Sequence, residues 1–200
     1  MMNYPTFFDT LPTITLKDPL SNFLGSFADG IVEFSYLDIV KSAGHSCPTV
    51  AGAYISTLKG IETLYEDEMP IRGNISVAFR DDVAKGVTGV ISNVVTQITG
   101  ATEVTGFKGL NGNFARHSLM EFNAKIDGEI LFTRLDTGAS VLVNYDPSSI
   151  GADPKMQELM GKMMKGVATA DEKLEFGKVW QQRVSDIFDN IDKVISVNAQ

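Results

Sequence analysis

Apolar positions recur at helical spacing over several stretches of the chain and at a two-residue spacing over another, which predicts a mixed α+β protein. The clearest helix is residues 48–65. Val50, Tyr54, Leu58, Ile61 and Tyr65 make one apolar stripe, and Pro48 suits the first helical position, where a missing N–H has no partner to lose. A second helix follows Asp81 and Asp82, either of which can cap it. Its apolar residues Val83, Val87, Val90, Ile91, Val94, Val95 and Ile98 nearly surround it, so it is expected to be buried, in the core or against a second copy of the chain. Gly100 ends it. Between the two helices, residues 74–79 form a strand candidate. Ahead of them, 31–36 can be a short strand and 37–43 one or two helical turns, closed by a left-handed Gly44.

After a glycine-rich loop at 106–113 the period changes to two. Residues 118–123, 129–135 and 140–145 read as strands, the first two joined by a hairpin around Asp127-Gly128 and the last two by a connection around Thr137-Gly138. The expectation is an antiparallel meander packed against the buried helix pair. From Pro154 the chain turns helical again, over 156–165 and then from a capped start at Thr169–Glu172 through Phe188. Phe176 and Trp180, four apart, share a face there, and Met156, Met160, Met163 and Met164 read as packing residues. The organisation expected is an N-terminal arm over 1–34, marked by Pro5, Pro12 and Pro19, an α+β core over 35–150, and a C-terminal helical segment over 151–200.

Composition narrows the function classes. Hydrophobic residues are 44% and charged residues 21%, as in a globular rather than a disordered chain. Seventeen Lys and Arg against 25 Asp and Glu leave a formal charge of −8, with no basic stripe to neutralise phosphates, which argues against nucleic-acid binding. Residues 1–16 lack Lys, Arg and any unbroken apolar run, so they make a poor signal peptide. No apolar stretch is long enough for a membrane span. A single cysteine excludes an intramolecular disulfide and fits a reducing compartment, so a cytoplasmic location is expected.

The chemistry concentrates at His45-Ser46-Cys47. In a turn, this spacing lets an imidazole nitrogen and a thiolate reach one ion, and both donors suit zinc or another late transition metal. Cys47 would also stand beside the start of the helix at Pro48, where free N–H groups and the helix dipole favour negative charge. The bland alternative is a cysteine that only packs. Two ligands leave open positions for substrate, water or further donors. His117, after the glycine-rich loop, is the first candidate, with Asp81, Asp82 and Glu121 as oxygen donors. The loop itself can bring backbone N–H groups, Lys108, Asn113 and the nearby Asn111 and Arg116 to a small polar or anionic ligand, or serve only as a tight connection. Tyr54 can aim its hydroxyl at the same cleft or pack in the core.

Gly44-His45-Ser46-Cys47-Pro48 resembles the Gly-His-x-Cys-Pro signature that opens the core domain of the FmdE-like family of formylmethanofuran dehydrogenase subunits. Ala51-Gly52-Ala53-Tyr54 is similar to the helix that follows it there. Ile98-Thr99-Gly100-Ala101, Phe107-Lys108-Gly109 and Gly112-Asn113-Phe114 resemble a later turn and loop, and residues 165–172 and 180–184 the family's C-terminal helical pair. Over roughly residues 35–190, the resemblance implies an α+β core, an intertwined homodimer and a metal-binding cleft at the His-x-Cys turn. There are departures. Thr49 stands where glycine is common, Ala101 where the family has a second cysteine, and no cysteine-rich zinc ribbon follows. Three readings stay open: a metal-dependent enzyme acting on a small polar substrate, a non-catalytic metal- or cofactor-binding accessory or sensor, and metal-free nucleophilic chemistry by Cys47 with His45 as base.

Overall fold

The computed structural model describes residues 3–200 and is an α+β structure, with one two-stranded and one five-stranded sheet. Strand β1 (Ile14–Lys17) pairs antiparallel with β2 (Ile31–Phe34), and helix α1 (Pro19–Leu24) lies between them in the chain. Helix α2 (Tyr36–Ala43) opens on a Ser35–Asp38 capping box and closes on Gly44 at φ 77°. Helix α3 (Pro48–Tyr65) has its predicted bounds, with Cys47 as N-cap. Strand β3 (Ile75–Phe79), helix α4 (Thr88–Thr99), and strands β4 (Met120–Glu121), β5 (Ile130–Arg134) and β6 (Ser140–Tyr145) follow. Helices α5 (Lys155–Met164), α6 (Ala170–Phe188) and the single turn α7 (Ile191–Val194) lead into β7 (Ile195–Ala199). No helix among the described residues is long and apolar enough to cross a membrane.

The sheet order is β4-β3-β5-β6-β7, so the expected hairpin between 118–123 and 129–135 does not form. Strand β3 inserts between them, parallel to β4 and antiparallel to β5 from Ile75↔Arg134 to Phe79↔Ile130. The reason lies at the turn. Gly128 lacks the positive φ of a two-residue hairpin loop; instead an added Cβ would come 2.6 Å from Leu142 Cγ, so this glycine permits close packing on β6. Gly138, at φ 77°, does close the β5–β6 hairpin, with Arg134 N–H donating to Ala139 O and Gly138 N–H to Arg134 O. The fifth strand, β7, comes from the C-terminal segment, where the sequence pattern predicts only helix.

Helix α3 lies across the inner sheet face with α4 beside it, and Val50, Ile55, Ile98, Val77 and Phe132 are fully or almost fully buried. Helix α4 starts later than its apolar pattern suggests. Gly86 at φ 57° interrupts the chain, Asp82 accepts from Ala84 N–H in the preceding turn, and Val83, Val87 and Val90 remain exposed. The N-terminal residues pack on the chain's own core. Phe8, Ile14 and Leu16 are buried, and the Tyr54 hydroxyl sits between the carbonyls of Pro12 (2.7 Å) and Phe34 (2.9 Å).

The same arm supplies the centre of a buried charge cluster. Asp18 caps α1 by accepting from Leu20 and Ser21 N–H, and it also accepts from Arg116 Nη2 at 2.7 Å and Arg72 Nη1 at 2.9 Å. Arg72 donates further to the carbonyls of Gln97 and Ile98 at the end of α4, where the helix dipole favours a cation. At the other end of the chain, Met156, Leu159 and Val179 form a separate small core with Phe176 and Trp180, whose ring centroids are 5.6 Å apart. The second half of α6 enters the main core through Val184, Ile187 and Phe188.

Candidate functional site

The His45-Ser46-Cys47 turn connects the left-handed end of α2 to the N-cap of α3, and Ser46 is its anchor. Ser46 is only 9% exposed; its Oγ lies 2.9 Å from the Tyr36 hydroxyl, and its carbonyl accepts from Trp180 Nε1 (3.0 Å) and Gln181 Nε2 (3.3 Å). Cys47 has extended backbone angles (φ −152°, ψ 168°), and its Sγ accepts from Val50 N–H at 3.4 Å, taking the place of a capping oxygen. His45 is exposed and Cys47 partly buried.

Nδ1 of His45 lies 3.0 Å from the carbonyl of Ala43, which orients the ring and leaves Nε2 for another partner. His45 lines a cavity of about 450 Å³ between the C-terminal end of α2 and one face of α4, with Ser42, Asn93, Thr96, Gln97 and two valines. This wall carries hydroxyls and carboxamides but no acidic or lysine and arginine side chain. Cys47 does not line that cavity; it packs against the main core. Two phenols, Tyr36 and Tyr145, stand around the turn. Tyr145 donates to Pro48 O at 2.8 Å, and burial pushes the Tyr36 and Tyr145 hydroxyls well above their ordinary range, keeping both neutral.

The remaining predicted site residues lie elsewhere. His117 precedes β4 at the sheet edge, with Nδ1 3.0 Å from Ser118 Oγ, and is not part of the His45 cavity. Lys108 donates to Val104 O, and Asn113 exchanges backbone bonds with Leu110, so both are used within their own loop. That loop is a two-residue hairpin whose central Asn111 (φ 47°) and Gly112 (φ 83°) both take positive angles, a chemistry the Asn-Gly pair announces. Arg116 is buried against Asp18. Asp81 pairs with Lys85 at 2.7 Å, Asp82 accepts from Asn123, and Glu121 is exposed on β4. Among the described residues, no group of three His, Cys, Asp or Glu side chains is placed to hold a metal ion. Sequence reasoning misses Tyr36, Tyr145, Trp180 and Gln181 as site residues, because nothing local in their segments marks the contacts they make. The chain matches no model of a protein family and no curated protein.

Proposed function

We infer that the chain is a transition-metal-binding protein in which His45 and Cys47 supply an imidazole nitrogen and a thiolate to zinc or a similar late metal. The observation that supports this most is the anchoring of Ser46. Three hydrogen bonds fix the middle of the turn, so the two donor residues flank a rigid point instead of a mobile loop. The donor chemistry fits a borderline-soft ion. With no third protein donor grouped there among the described residues, the other positions fall to solvent, a small ligand or a second copy of the chain. A metal so held supplies Lewis acidity or an activated water. The neutral, hydrogen-bonding wall beside His45 favours a small polar ligand without a large charge.

The motif-level resemblance to the FmdE-like family supports the same reading, and with it an intertwined homodimer. Light scattering should then give twice the 21.7 kDa chain mass; a clean monomer would remove the dimer from the proposal. Nucleophilic chemistry by Cys47 without metal is a second reading, favoured by the Val50 amide aimed at its sulfur.

One experiment separates them. Protein purified without added metal is expected to carry stoichiometric metal, which Cys47→Ser loses while keeping its fold. A metal-free wild-type protein whose thiol alkylates readily would instead favour the nucleophile.

A further inference from the structure

The peptide unit ending on Cys47 is held from two sides. Tyr36, in the main core, reaches the Ser46 side chain, whereas Trp180 and Gln181, neighbours on α6, both donate to the Ser46 carbonyl. A peptide unit is planar, so fixing that oxygen fixes the amide nitrogen and Cα of Cys47 as well. Trp180 belongs at the same time to the small core between α5 and α6, which is separate from the main one. The Gln181 amide is only half satisfied: its Nε2 bonds to Ser46, but its Oε1 is buried without a partner. An unpaired buried acceptor carries a penalty of roughly 1–3 kcal/mol, so the closed arrangement is not over-determined.

We propose that α6 is a latch on the His-x-Cys turn. Trp180 and Gln181 are its positioning residues, and displacement of the α5–α6 core releases the Ser46 carbonyl and lets the Cys47 backbone shift, loosening the cap between its sulfur and Val50 N–H. The latch needs the metal reading above only to say what the loosened or held sulfur binds. Its own content is mechanical coupling between the C-terminal helical pair and the turn.

The test uses the full chain. Iodoacetamide labelling of Cys47 is timed in wild type, Trp180→Phe, Gln181→Met and the double variant, beside urea unfolding of each. Phenylalanine keeps most of the ring packing and deletes the indole donor, and methionine keeps the length of glutamine. Labelling of the double variant is expected to rise about ten-fold, the effect of roughly one net hydrogen bond, with its unfolding equilibrium shifted by no more than that same factor. An unchanged labelling rate in a folded double variant overturns the latch.

A second measurement needs no variant. Trp180 is the chain's one tryptophan, so alkylating Cys47 in the wild type should shift its emission; an unmoved spectrum counts against the coupling. Titration with Co²⁺ keeps the two proposals apart. Faster labelling of the double variant, without any cobalt–thiolate absorption in the wild type, would remove the metal and leave the latch. Cobalt binding with unchanged labelling would do the reverse.

Discussion

Asp18→Ala is expected to destabilise the fold by about 3–5 kcal/mol, the range seen when one partner is removed from a buried ion pair. The carboxylate is 4% exposed and accepts from two guanidinium groups, one of them on the equally buried Arg116. Without it Arg116 keeps its charge but loses its counterion, and α1 loses its N-cap. Urea unfolding followed by Trp180 fluorescence measures this, with Lys41→Ala as the control. The Lys41–Asp38 pair is about half exposed at 3.5 Å, and its loss should cost no more than about 1 kcal/mol.

The same carboxylate predicts a pH dependence. Burial pushes its pKa up, but the Arg72 hydrogen bond, the Ser21 amide and the two arginine charges outweigh burial and hold it below the ordinary value of 3.8. A group depressed on folding contributes its stability above its unfolded pKa and loses it as pH falls through the folded one. Wild-type stability should therefore decline below about pH 4, with a shallower decline in Asp18→Ala. Equal slopes in the two proteins would sink the assignment.

The elements governed by local chemistry are legible in the sequence, and those governed by partner choice are not. Helix α3 is readable from Pro48 to Tyr65 because its stripe, its proline and its cap agree. The capping box at Thr169–Glu172 and the left-handed Gly44 and Gly100 are equally local. By contrast, Gly128 looks like half of a hairpin turn, and only the position of Leu142 across the sheet shows that it makes room instead. Strand β7 is a five-residue tail whose pairing partner, β6, lies roughly fifty residues earlier, so no local pattern forces it to be a strand.

The site divides the same way. The spacing of His45 and Cys47 identifies the turn, since two donor types close together are visible in any reading of the chain. What rigidifies the turn arrives from 134 and 135 residues away, through Trp180 and Gln181. Arg116 illustrates the opposite error. In the sequence it is a cation beside a glycine-rich loop and suggests an anion site, yet it finds its anion 98 residues earlier in Asp18. A charged residue in a loop advertises a need for a partner, and the sequence does not say whether the partner is a ligand or the protein itself.

Gly52→Ala is the second large effect expected, and it runs against helix propensity. Alanine in a helix interior is favoured over glycine by up to about 1 kcal/mol. Gly177, in α6, has nothing within 4 Å of an added Cβ, so Gly177→Ala should approach that full gain. At Gly52 the added Cβ would fall 2.5 Å from Cδ1 and Cζ of Tyr145, an overlap that neither group can absorb in place. Tyr145 is tethered at its hydroxyl and at its backbone. Its hydroxyl donates to Pro48 O at 2.8 Å, and its backbone N–H donates to the Glu129 carboxylate at 2.9 Å. Relief therefore needs α3 to lift from β6 or the phenol to abandon Pro48. Overpacking of this kind typically costs about 1–3 kcal/mol. The two substitutions are chemically identical and should shift the urea midpoint in opposite directions. Because Pro48 follows Cys47, Gly52→Ala should also change the rate of Cys47 alkylation. Stabilisation by both alanines would mean that Tyr145 yields freely, and that it does not brace the start of α3.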